Sequence, residues 1–242
     1  MMQASRNIVR SLLSSWQPIS ITPAAGLKIF PLPVKYGDIE YPERRKLKIM
    51  EKVPQYPPGI RIFKMQKRLR YMRGPEEVHN FLLYKQYGII ATGGGRLKYS
   101  HLEMIRLKLV RTLNPNTMFA IWRVNPPWQP VTKKGLGHRM GGGKGSIDHY
   151  VTPIKAGHVI VEVGGHCEFF EVKKVLTQIA CILPFKAEVV SQEILDKKAA
   201  KEKWEENNNQ HLWTWKYMVQ NNMLGCHKWI SPVDKFWFNK YV

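Results

Sequence analysis

The chain has 242 residues, with 38 Lys plus Arg against 18 Asp plus Glu, a formal net charge of +20 at pH 7. A surplus of that size repels itself unless an anionic partner neutralises it; nucleic acid is the first candidate and an anionic membrane surface the second. Three cysteines, Cys167, Cys181 and Cys226, with no C-x-x-C pair, exclude a disulfide framework and a structural zinc site, and no apolar run is long enough to span a bilayer.

Residues 1–29 read as an address. Arg6 and Arg10 stand among serines, the first acid in the chain is Asp38, and Ile8, Val9, Leu12, Leu13 and Trp16 fall at helical spacing. Arg-rich, Ser-rich, acid-poor and amphipathic is the description of an organellar transit peptide. Residues 30–87 read as an extended basic arm. Pro31, Pro33, Pro42, Pro54, Pro57 and Pro58 deny it regular structure beyond one short helix, and a charged run crosses it from Glu43 to Lys48. Its last part carries Arg61, Lys64, Lys67, Arg68, Arg70 and Arg73 interleaved with Phe63 and Tyr71. Such a segment can lay cations along phosphates while its rings stack or wedge between RNA elements.

Residues 88–191 have the pattern of a packed domain. A strand-like run, Gly88 to Gly93, ends in a glycine triplet. Ser100 and Glu103 form a capping-box pattern before a helix with the stripe Leu102, Ile105, Leu109 and Leu113, its cations Arg106, Lys108 and Arg111 facing outward, stopped by Asn114-Pro115. Met118 to Val124 reads as a strand, and a long glycine-rich loop, Lys133 to His149, follows. Tyr150 to Lys155 and His158 to Val163 read as strands joined through Ala156-Gly157 as a hairpin, with Pro153 at an edge or bulge. Phe169, Val172, Leu176, Ile179 and Leu183 mark a second helix, which Cys167 and Cys181 flank as small core hydrophobes. Lys186 to Ser191 is a last strand. The expected fold is α+β: a mainly antiparallel sheet with two helices packed on one face. Residues 192–242 form an extension: a charged helix from Glu193 to Glu206, broken by Asn207 to Asn209, then Trp213, Trp215, Tyr217, Trp229, Phe236, Trp237, Phe238 and Tyr241. So many rings must wrap back on the domain or dock on a neighbour, and docking is the expectation because the domain is complete without them.

The informative stretch runs from Lys133 and Lys134 through Gly135, Gly137, His138, Arg139, Met140, Gly141, Gly142 and Gly143 to Lys144 and Gly145. Glycines at this density let a backbone approach a ligand closely, and cations between them point at a polyanion. A nucleotide-triphosphate loop needs glycine where His138 stands and Ser or Thr where Gly145 stands. A dinucleotide turn needs glycine at Met140 and a helix after it. Both fail, leaving a flexible basic loop suited to an RNA backbone. His138, His149, His158 and His166 match no metal-site spacing. Asp148-His149 is the one tempting catalytic pair, and neighbours on a strand are expected to face opposite ways.

The run Gly137 to Gly145, with Tyr150-Val151, Lys155 to Gly157 and Leu183 to Lys186, closely resembles the signature of the large-subunit ribosomal protein sixteen family, over about Pro58 to Ile194. The transit-like start resembles that of a mitochondrial member. The resemblance implies a non-catalytic α+β protein, without metal or cofactor, bound to large-subunit ribosomal RNA. It implies a place near the cleft where transfer RNAs bind and neighbouring mitochondrial large-subunit proteins as partners. It also implies that Arg139 and Lys144 touch RNA. Bacterial members usually carry a lysine where this chain has Gly142, and one cation fewer is expected to weaken or shift a phosphate contact. A free mitochondrial RNA-binding regulator is the alternative.

Overall fold

A computed structural model describes Gly37, residues 39–66 and residues 68–241. The expected leader at 1–29, the first residues of the arm and Lys67 lie outside the described residues. Among the described residues, seven strands form two antiparallel sheets. β1 (Tyr87–Ala91), β3 (Met118–Trp122), β6 (Val159–Gly165) and β7 (Ala187–Ser191) are ordered β3-β6-β1-β7. β2 (Gly95–Lys98), β4 (Gln129–Lys133) and β5 (Ser146–Ile154) are ordered β2-β5-β4. With α1 (Tyr99–Thr112) and α2 (Phe169–Ile182) this is the α+β class expected, with its strands divided between two sheets.

The core follows the side-chain periods. Leu102, Ile105 and Leu109 of α1 and Val172, Leu176 and Ile179 of α2 are buried together with Ile89, Ala120, Val161 and Val163. On β1, Ile89 and Ile90 face opposite ways. Ile90 joins Val159 and Val190 in a second cluster, under Leu82 and Leu195. All of β6 is buried, which suits its β-branched run. Its one acid, Glu162, is retained because Leu83 and Tyr84 donate their backbone N–H groups to its carboxylate at 3.0 and 2.6 Å. Burial still holds that carboxyl above its usual pKa.

Several local expectations give way to longer-range contacts. Lys155 to His158 is not a hairpin, because β5 and β6 belong to different sheets. The chain turns there at Gly157 (φ +89°), whose N–H donates to Ala91 at 2.6 Å, and changes layer. Pro153 is tolerated on β5 because β4 runs beside that strand only as far as Val151. The loop after Lys133 ends sooner than its glycines suggest: Lys133 pairs with Ser146 and β5 begins there. α1 begins at Tyr99, so Ser100 lies inside the helix. His101 Nδ1 accepts the Lys98 backbone N–H, and Glu103 pairs with Arg106 at 2.5 Å instead of closing a cap. Arg106 and Lys108 are half-buried, while Arg111 is exposed. Cys167 is buried, and burial pushes its thiol up to about 11, but Cys181 is exposed on α2.

The arm is extended, with a single 3-10 turn at Leu69–Tyr71 among its described residues, and it is fastened at several points. Leu47 enters the main core. The Ala120 N–H donates to Arg45 at 3.0 Å, and the Trp122 indole N–H donates to Lys48 at 2.7 Å, covering the outer edge of β3. At its inner end, Glu76 donates its N–H to Ala156 and His79 accepts from Val159, each at 2.8 Å.

Beneath this junction lies His158, buried, with Nδ1 3.1 Å from the Glu76 carboxylate and the His79 ring edge-on at 5.2 Å. Burial depresses the His158 pKa more than Glu76 raises it. Burial alone would raise Glu76, but His158 and nearby backbone N–H groups leave it below the usual carboxylate range. Both folded-state pKa values lie below their unfolded ones. Their stabilisation is therefore complete above the ordinary histidine pKa, about 6.5, and is lost as pH falls through the folded values. Thermal melts from neutral pH to about pH 5 are expected to show falling stability. His158→Asn, which keeps a donor for Glu76 but cannot take up a proton, flattens the upper part of that fall. An unchanged profile in the variant removes His158 from the acid response.

The extension contains α3 (Gln192–Asn208), α4 (Trp215–Gln220), a 3-10 segment at Met223–Lys228 and α5 (Pro232–Trp237). On α3 the pairs Glu193–Lys197 and Lys201–Glu205 form at 4.0 and 3.6 Å, and Lys198 reaches Glu188 of β7. Trp237 folds back on Gly74, where a Cβ would stand 2.6 Å from its ring. Trp204, Trp213, Trp229 and Phe236 remain exposed.

Candidate nucleic-acid interface

Two segments without an acid carry the cations singled out in the sequence: Lys52 to Pro75 and Pro126 to Ile147. The second is a hairpin. β4 and β5 pair down to Lys133 and Ser146, so the loop Lys134 to Gly145 is raised on a two-stranded stem. Gly137, Gly141 and Gly143 take positive φ of +85°, +90° and +80°, conformations that a side chain disfavours. Gly145 is required for a different reason: a Cβ there would stand 2.5 Å from the Lys133 carbonyl oxygen, where the two stems converge.

Lys133, Lys134, His138, Arg139, Met140, Gly141, Gly143 and Lys144 are all exposed. Arg61, Lys64, Arg68, Arg70 and Arg73 of the arm are exposed as well, and Lys67 lies outside the described residues. None of these described cations makes a salt bridge with an acid among the described residues. An unpaired set of like charges on acid-free segments is an electrostatic footprint for a polyanion.

The arm is held to the domain beside the hairpin. The Tyr71 ring meets Trp128 edge to face at 5.8 Å, just before β4. Arg70 lies over the Tyr71 ring at 5.1 Å and donates to its hydroxyl at 3.2 Å. Tyr71 is therefore an anchor for the arm and not a free ring, whereas Phe63 is 78% exposed. The Met72 carbonyl lies against Gly94, where a Cβ would come within 1.8 Å of its oxygen. Farther out, the arm meets the loop directly. The Lys144 ammonium donates to the carbonyls of Lys64 and Met65 at 2.6 and 2.8 Å, and the Lys64 ammonium approaches the Lys144 carbonyl at 3.4 Å. Of the two residues expected to touch RNA, Arg139 makes no salt bridge with an acid among the described residues, and Lys144 is bonded to the arm.

Two features escaped the sequence reading. Leu136 is fully exposed on the loop, as Met140 nearly is, two apolar side chains in a basic segment. A leucine flanked by glycines in a basic loop was the available sign. The other is the contact within the pair Asp148-His149, whose side chains are hydrogen-bonded at 2.8 Å instead of facing opposite ways as expected. Val131 pairs with His149 and Thr132 with Ile147, so Asp148 is the extra residue of a β-bulge, which re-aims its side chain. The hydrogen bond with His149, with Lys133 and Lys98 nearby, holds Asp148 below the usual carboxylate range. The pair lines a cavity of about 500 Å³ with Lys52, Ile62, Lys98 and Tyr99. No hydroxyl or thiol among the described residues is hydrogen-bonded to His149. No group of three or more metal-ligating side chains occurs among the described residues.

The site is a glycine-rich basic hairpin beside a docked basic arm, carried on a two-sheet α+β core. The chain belongs to the family described as ribosomal protein L16p/L10e, whose model matches residues 60–190. The match takes in the basic part of the arm as well as the packed domain. The chain is similar to the large ribosomal subunit protein uL16 of Kosmotoga olearia, 31% identical over 133 residues, covering 52% of this chain and 92% of that protein. The uL16 protein of Petrotoga mobilis is 31% identical over 135 residues, 53% of this chain and 94% of its own length. That of a Sulfurihydrogenibium species is 36% identical over 93 residues, 38% of this chain and 66% of its own length.

Proposed function

We propose that this protein is a non-catalytic structural constituent of the mitochondrial large ribosomal subunit. It binds large-subunit ribosomal RNA through the loop 133–144 and the arm residues 61–73, and supports the region where transfer RNAs bind and peptide bonds form. The observation that carries this reading is the acid-free, unpaired basic surface made by hairpin and arm within the family match. The mitochondrial address rests on the composition of residues 1–29, which the reading takes to be a leader removed before assembly. Residues 30–87 act as the arm, 88–191 as the core, and 192–242 as an extension whose exposed Trp204, Trp213, Trp229 and Phe236 dock on neighbouring proteins of the subunit.

Ultraviolet crosslinking of intact mitochondrial large subunits, followed by mass spectrometry of RNA–peptide adducts, tests the assignment. Adducts are expected on peptides containing Lys133 to Lys144 and Arg61 to Arg73. Adducts confined to the carboxy-terminal extension would overturn it.

A further inference from the structure

We infer that Lys144 is a positioning residue that fastens the arm to the loop, so that both meet one RNA element as a single surface; the inference rests on the RNA-binding reading above. An exposed lysine ordinarily keeps its ammonium in water and its stem mobile. Lys144 instead spends two of its three donors on the carbonyls of Lys64 and Met65, at 2.6 and 2.8 Å. The Lys64 ammonium answers toward the Lys144 carbonyl at 3.4 Å, across 80 positions of sequence. Among the described residues these are the hydrogen bonds that join the loop to the arm.

Each ammonium group is held on the main chain of the other segment. Main-chain carbonyls, which point their negative ends at the ammonium groups, hold them there. The consequence is geometric. With the clasp closed, Arg61, Lys64 and Arg68 on the arm and Lys133, Lys134 and Arg139 on the hairpin are presented together. With it open, the arm near Phe63 is free to move, and ordering it again is a cost that binding must meet.

A residue that positions others and one that contacts phosphate give different signals. In the full-length chain without RNA, chymotrypsin cleavage after the exposed Phe63 reports arm mobility. Lys144→Gln is expected to raise that cleavage severalfold with the melting temperature of the core unchanged. Cleavage equal to the parent chain would overturn the clasp. Titration with purified large-subunit ribosomal RNA at several salt concentrations gives the second readout. Lys144→Gln is expected to weaken binding about tenfold while leaving the slope of log affinity against log salt unaltered, because no phosphate contact is lost. Lys134→Gln, a phosphate contact on this account, lowers the slope by about 0.7 to 0.9. An equal fall for Lys144→Gln would make Lys144 a phosphate ligand and overturn the inference. If the parent chain fails to bind the RNA, the functional assignment fails, and the cleavage experiment still decides the clasp.

Discussion

Leu109→Asp is expected to abolish folding of the core and with it any assembly into a larger particle. Leu109 is 1% exposed on α1, in the cluster that also holds Leu47 of the arm, Ala120 of β3 and Leu176 of α2. Removing a buried leucine costs about 2–5 kcal/mol through lost transfer and the void left behind. A carboxylate with no partner there adds several kcal/mol more, or must be protonated at comparable cost. The sum rivals the whole stability of an ordinary domain, roughly 5–15 kcal/mol. Leu107 on the same helix is the internal control. It is 38% exposed on the outward side, so Leu107→Asp is expected to change stability by about 1 kcal/mol or less. Circular dichroism melts of the two variants decide the matter. A cooperative Leu109→Asp transition within a few degrees of the parent would contradict the position of α1 in the core.

Arg139→Glu is expected to do the reverse, leaving the melt unchanged and reducing affinity for large-subunit ribosomal RNA by about ten- to a hundred-fold, the range for a lost arginine contact. The residue is exposed on a loop between Gly137 and Gly141, makes no salt bridge with an acid among the described residues and packs against nothing in the core. The fold therefore has no use for its charge. Reversing it puts the first acid into a segment that has none from Pro126 to Ile147, adding repulsion to the lost attraction. Arg139→Lys, which keeps the charge without the planar fork, should recover most of the affinity if the contact is to phosphate alone. Parent-like binding by Arg139→Glu at physiological salt would remove the loop from the interface.

The elements legible in the sequence are those whose period is long and whose stripe is strong. α1 and α2 buried most of the residues their spacing marked, with Leu113 and Phe169 at the ends left half-buried, because a helical stripe can be satisfied only by turning it inward. β6, seven buried residues in a β-branched run, was equally plain. β2 and β4 were not. They are four and five residues long, and β4 contains Pro130 and ends in Lys133, so neither offers a strand pattern until β5 lies beside it. The false hairpin at Ala156-Gly157 and the true bulge at Asp148 share a cause. Both depend on which distant strand the chain pairs with, and a turn looks the same locally whether the chain doubles back or changes sheet. The basic loop could be found because glycines and cations were concentrated in one stretch. Its attachment to the arm could not, because the contacts run from a side chain to main-chain carbonyls 79 and 80 positions away, and carbonyls carry no sequence.

The measurement that tests the central claim most directly is sedimentation of detergent-lysed mitochondria on a sucrose gradient, with and without magnesium chelation, followed by quantification of this protein against large-subunit RNA. The account predicts that the protein moves with that RNA at one copy per particle in magnesium, and shifts with it when chelation loosens the ribosome. Protein that stays at the top of the gradient, or travels at a small fraction of one copy, would contradict a structural place in the subunit.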